Sequence, residues 1–136
     1  MTIIVIDTKI IFSALVNVNS KIATFLLDSS NTLIMPKAGF VELFRHKESI
    51  CAVSKHLEDE ILENLYKLIQ NIEFFDENSI STSTLQDAWE LVNDSDPKEM
   101  MFVASTLEVK GLLWTGDSKL RKKLKNKGFD SFFSLR

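Results

Sequence analysis

Thr2–Ile6, TIIVI, is a run of β-branched and apolar residues without alternation, and it stops at an acid, Asp7. A strand of this kind is buried on both faces and belongs in the middle of a parallel sheet. A helical pattern, Ile10–Val16, follows almost at once. Open parallel sheets bind ligands just beyond the carboxyl ends of their strands. Asp7 is therefore a candidate working residue, although its position also fits an ordinary cap for the next helix.

The rest of the chain repeats that alternation. Ser20 caps a predicted helix over Lys21–Asp28, and Thr32–Met35 is a second strand closed by Pro36. Helices are predicted over Ala38–Lys47, Glu48–Val53 and Leu57–Gln70. The last of these has a stripe of Leu57, Ile61, Leu65 and Leu68, and a Glu63–Lys67 pair. Ile72–Phe75 is a third strand. Ser83 and Gln86 read as a capping box for a helix over Thr84–Val92. Pro97–Val109 is the next helix, Leu112–Thr115 a fourth strand, and Lys119–Lys127 a basic helix stopped by Gly128. Phe129–Phe133 reads as a final strand. The sum is an α/β domain over residues 1–136, with a central, mostly parallel sheet of four to five strands flanked by helices and joined by right-handed crossovers.

At 136 residues, 45% of them hydrophobic and ten of them Phe, the chain can bury a real core. Cys51, Trp89 and Trp114 are expected in it. The net charge of -3 excludes a surface that is basic all round, but not a nucleic-acid enzyme with metal ions and a local basic strip. One cysteine cannot form an internal disulfide, and the first apolar run is too short for a signal peptide or a membrane span. A cytoplasmic protein is expected.

Four acids occupy places that converge if the strands are parallel. Asp7 follows the first strand and Asp117 the fourth; Glu42 lies on the helix after the second strand; Glu99 opens the helix before the fourth, with Asp96 beside it. Clustered carboxylates repel one another unless a cation sits among them. Mg²⁺ and Mn²⁺ take such oxygen ligands, and bound ions of this kind hydrolyse phosphodiesters. Singly, Asp7, Asp96 and Asp117 also read as helix caps, Asp96 and Glu99 with Pro97 as a capping box. Glu42, between Val41 and Leu43, must face solvent or a partner, since unpaired burial is costly.

A basic strip of Lys119, Arg121, Lys122, Lys123, Lys125 and Lys127 follows Asp117. It suits an RNA backbone, with Lys119 and Arg121 nearest the acids. It also suits a solvated helix whose cations favour the C-terminal dipole.

The stretches VIDTKIIFSAL, FVEL and DPKEMMFVASTLEVKGLLWTGDSKL together resemble the PIN domain family, which includes VapC-type toxin ribonucleases. The resemblance runs over nearly the whole chain. It implies a metal-dependent endoribonuclease, the toxin of a toxin–antitoxin pair, with RNA as substrate and an antitoxin and a second copy of the chain as partners. It casts Asp7, Glu42, Glu99 and Asp117 as catalytic ligands of Mg²⁺ or Mn²⁺ and Asp96 as an extra metal-site acid. Thr115 is the polar companion; Lys9, Thr115, Lys119 and Arg121 would meet the substrate. The sequence departs from the family at Lys9, where Asn or Ser is usual, and mildly at Glu99, where Asp is usual. A lysine there either reaches into the acids and competes with metal, or points outward to phosphate. The first outcome favours an alternative: a catalytically impaired PIN-like module that binds RNA or a protein. A response-regulator-like domain also clusters acids around Mg²⁺, but Lys119 is a poor match for the lysine it needs after a late strand.

Overall fold

The structure, a computed structural model, describes residues 2–28, 30–53, 58–93 and 97–135. Asp96, His56 and Leu57 lie outside these residues, as does the side chain of Cys51. Among the described residues, four strands form one parallel sheet: β1 (Ile3–Ile6), β2 (Thr32–Pro36), β3 (Ile72–Phe75) and β4 (Leu112–Trp114), in the order β3-β2-β1-β4. The predicted central strand is central: Val5 pairs with Ile34 on one side and Leu113 on the other. Val5 and Ile6 are fully buried, as a strand covered on both faces requires. The strand order reverses between β1 and β4. That switch point, at the carboxyl ends of both strands, is where open α/β sheets form a crevice.

Eight helices are described: α1 (Thr8–Val16), α2 (Lys21–Leu27), α3 (Lys37–Arg45), α4 (Lys47–Val53), α5 (Glu58–Ile69), α6 (Thr82–Val92), α7 (Pro97–Val109) and α8 (Ser118–Asn126). Ser20 caps α2 by accepting from the Ala23 amide at 3.2 Å. Helix α5 buries Ile61, Leu65 and Leu68, and Lys67 stands 3.7 Å from Glu63. The end of α8 is closed by Gly128 at φ +95°, with the amides of Gly128 and Phe129 bonded back to the carbonyls of Lys125 and Leu124. These are the two bonds of a Schellman motif, and its apolar contact is supplied by Leu124 and Phe129, both buried. No single described helix is long and apolar enough to cross a membrane.

Three expectations are corrected. Helix α6 starts earlier than predicted, and its cap is Ser81, not Ser83: Ser81 Oγ accepts from the Thr84 amide at 3.2 Å. The return bond that a capping box takes from its own third residue comes instead from α7, where Glu108 Oε1 accepts from the Ser81 amide at 2.9 Å. Ser81→Ala should therefore destabilise the protein by about 1 kcal/mol in urea unfolding, while Ser83→Ala leaves it nearly unchanged. Trp89 is 56% exposed, whereas Trp114 is buried. Helix α6 packs chiefly on α7, so its buried face is narrow and centres on Ala88 and Val92. Last, Phe129–Phe133 is not a strand. It makes one parallel bridge to β4, with Leu113 donating to the Ser131 carbonyl at 2.8 Å and accepting from the Phe133 amide at 2.9 Å. The Phe132 amide turns into a local bond with the Asp130 carbonyl, so the ladder goes no further. Phe133 instead completes a ring cluster with Phe25 and Trp114, each pair of centroids 5.0–5.3 Å apart.

Candidate active site

The backbone brings Asp7 and Asp117 to the switch point. Asp7 follows β1, and its amide donates to the Trp114 carbonyl of β4 at 3.0 Å, so the two strand ends run level. Asp7 stands at the cap position of α1, yet its side chain makes no capping bond. It accepts instead from Thr115 Oγ1 at 2.6 Å, and Thr115 Oγ1 in turn accepts from the Asp117 amide at 3.0 Å. Thr115 is thus buried between the two acids and ties them together. Asp117 does cap its helix: Oδ1 accepts from the amides of Lys119 and Leu120, both at 3.1 Å. A single carboxylate here serves as a cap and faces a cavity as well.

That cavity has a volume of about 220 Å³, and Asp7, Glu42, Glu99 and Asp117 all line it. They come from the ends of β1 and β4, from α3 and from the first turn of α7. Glu42 is half-buried, not stranded in the core. Helix α3 starts at Pro36, which has no side-chain acceptor to offer. Glu77, in the 3₁₀ turn after β3, supplies one by accepting from the Ala38 amide at 2.9 Å. That bond fixes the start of the helix that carries Glu42. Phe102, Leu113 and Leu120 form the apolar part of the wall.

Two cations share the cavity. Lys9 Nζ lies 3.4 Å from Asp117 Oδ2, so of the two directions open to this lysine the structure has it reach into the acids. Lys98, which the sequence reading did not single out, lines the cavity too. Its place beside Glu99 in the first turn of α7 was the available signal. Lys119 and Arg121 are not on the cavity wall. The Arg121 guanidinium lies 5.2 Å over the Phe132 ring and donates toward the Phe133 carbonyl and Ser134 Oγ, clamping the C-terminal segment.

The electrostatics of the two strand-end acids differ. Burial pushes the Asp7 carboxyl above its ordinary range; the Thr115 hydroxyl, the Lys9 amide and charge, and the Thr8 amide only partly offset it. For Asp117 burial also pushes upward, but the Leu120 amide, the Lys9 charge and hydrogen bond, and the Lys119 amide together outweigh it and leave the carboxyl lowered. One neighbour is an oddity: Thr8 is 1% exposed and its Oγ1 has no hydrogen-bond partner among the described residues. Since an unpaired buried hydroxyl costs about 1–3 kcal/mol, Thr8→Val should leave stability unchanged or raise it by about 1 kcal/mol in urea unfolding. A marked loss would mean that the hydroxyl has a partner.

Among the described residues, no three His, Cys, Asp or Glu side chains stand close enough to hold a bare metal ion as they are. The donor set nevertheless suits Mg²⁺ or Mn²⁺. It is all oxygen, and Mg²⁺ keeps several waters while bonding to only one or two carboxylates directly. A cavity of about 220 Å³ has room for such a hydrated ion.

No curated protein matches the sequence. Among solved structures, a chain in the crystal structure of VapBC2 from Rickettsia felis, bound to a DNA fragment from its promoter, is similar with a TM-score of 0.69. The match covers 89% of this chain and 92% of that one, at 15% identity, a likeness of fold. The sequence itself matches the PIN domain over residues 5–128, a span that runs from the second half of β1 through β4 and includes all four cavity acids. On that match, the chain belongs to the PIN domain family.

Proposed function

We propose that this protein is an endoribonuclease that hydrolyses RNA phosphodiesters with Mg²⁺ or Mn²⁺, acting in the cytoplasm as the toxin of a toxin–antitoxin pair. The observation that carries this reading is that carboxylates from four separate elements, Asp7, Glu42, Glu99 and Asp117, line one cavity at the sheet's switch point. These four would hold the metal, with Asp96 as a further acid near Glu99. A bound divalent ion lowers the pKa of water and offsets charge building on the phosphate oxygens. The chain's own residues orient and shield. Thr115 holds Asp7 and Asp117 at fixed separation, Phe102, Leu113 and Leu120 exclude water from one wall, and Lys98 and Lys9 offer positive charge to a phosphate. Lys119, exposed on α8, is placed to meet RNA outside the cavity, whereas Arg121 would act through the segment it clamps.

The partners belong to the same reading. Phe44, Tyr66, Phe74 and Trp89 leave large apolar or aromatic side chains on the surface, available to an antitoxin or a second copy. The likeness to a chain of the VapBC2 complex adds support for the antitoxin. The direct test is incubation of single-stranded RNA with the purified protein, with Mn²⁺ and with a chelator. Cleavage only with metal is expected; no cleavage under either condition would leave the second reading. That reading, a PIN module impaired in catalysis and kept for binding RNA or a protein, is favoured by one feature: the Lys9 ammonium already on Asp117.

A further inference from the structure

We infer that Lys9 is a cation built into the cavity, and that with it in place the site takes one divalent metal ion rather than two. The inference rests on the metal-dependent reading above and deepens it. Among the described residues, the cavity wall carries four carboxylates and two ammoniums, Lys9 and Lys98. The remaining negative charge, two on the described wall and three if Asp96 joins it, falls short of the four positive charges that two divalent ions carry. A second ion would leave an excess of positive charge in a partly buried space, which is unfavourable.

Geometry points to Asp117 as the acid whose hold on a metal Lys9 weakens. Both its oxygens are engaged, Oδ1 by the Lys119 and Leu120 amides and Oδ2 by Lys9 Nζ at 3.4 Å. Lys9 sits in the first turn of α1, and its stem runs beside Gly116 in the turn after β4, where a Cβ would make an ordinary contact with Lys9 Cβ at 3.6 Å. The pair is soft, since the Lys9 side chain is 61% exposed and that of Asp117 24%. An ammonium held this way tempers metal affinity without sealing the cavity.

The test is Mn²⁺ titration by calorimetry on the whole chain, with the ion count checked by electron paramagnetic resonance. The unaltered protein should bind one Mn²⁺. Lys9→Ser and Lys9→Met, the latter keeping the stem, should bind it about tenfold more tightly, the scale of one ammonium removed from beside a divalent ion. Both should admit a second ion at higher concentration. Lys9→Arg should behave as the unaltered protein does. Lys67→Ser, on α5 and away from this cavity, removes the same net charge and should change nothing. Two ions on the unaltered protein, no ion on it, or a Lys9→Ser affinity no higher than that of Lys67→Ser would each overturn the inference. RNA cleavage measured in parallel separates the two ideas. Cleavage with Mn²⁺ binding indifferent to Lys9 removes this inference and keeps the nuclease. One-ion, Lys9-dependent binding without cleavage does the reverse.

Discussion

Asp7→Asn is expected to lower Mn²⁺-dependent RNA cleavage by at least about a hundredfold, while raising the melting temperature of the metal-free protein at neutral pH. The first effect follows from removing a carboxylate at the switch point; even the outer partners of metal ligands are worth about 10–100-fold. The second follows from linkage. Burial raises the Asp7 pKa above its unfolded value, so the folded state binds the proton more tightly than the unfolded chain does. Stability therefore falls as pH rises between the unfolded and folded values, and the whole cost stands above the folded one. Asparagine keeps an oxygen for the Thr115 hydroxyl but carries no charge to bury. Its advantage in melting temperature should fade as the pH falls from the raised folded value toward 3.8, the ordinary aspartate value, and be gone below it. Mn²⁺ should raise the melting temperature of the unaltered protein more than that of the variant, because only a ligand bound to the native state stabilises it. A variant that cleaves RNA normally would remove Asp7 from the proposed chemistry. One that melts lower at neutral pH would show that the carboxylate is not under strain.

Gly111→Ala is expected to destabilise the protein by about 3 kcal/mol, at the upper end of ordinary overpacking. Gly111 follows Lys110, whose φ of 54° turns the chain out of α7 and toward β4. A Cβ at 111 would be forced onto the carbonyl oxygen of Ile3, the first residue of β1. A backbone oxygen of the central strand cannot step aside as a flexible side chain can, so the sheet itself must shift. Gly116→Ala is the matched control. Its Cβ would meet nothing closer than Lys9 Cβ at 3.6 Å, an ordinary contact, and stability should stay within about 0.5 kcal/mol. Urea unfolding of both variants decides the matter. A Gly111→Ala protein as stable as the Gly116→Ala one would mean that β1 and β4 do not approach as closely here as described.

Much of the fold was legible from local pattern because local physics makes it. Ile3–Ile6 lacks alternation and is buried on both faces; Ser20 caps the helix it precedes; Gly128 ends α8 because its backbone goes where a Cβ is unwelcome. The misreadings fall where two local solutions were equally good. Ser81 and Ser83 can each cap a helix, and the choice went to the serine whose amide meets Glu108, 27 residues away. Trp89 fits an apolar helical stripe, but α6 lies mainly against α7 and leaves that edge in water.

The candidate site divides along the same line. That Asp7 and Asp117 end strands was readable from the sequence alone, since each acid closes an apolar run. That they lie level required the strand order β3-β2-β1-β4, which no local rule dictates. The same order lets Thr115 bond to Asp7, and Lys9 to Asp117, each across 108 residues of chain. Capping, periodicity and turn formation are decided over a few residues. Which carboxylate a lysine finds is decided by which faces pack, and only the assembled sheet and its helices settle that.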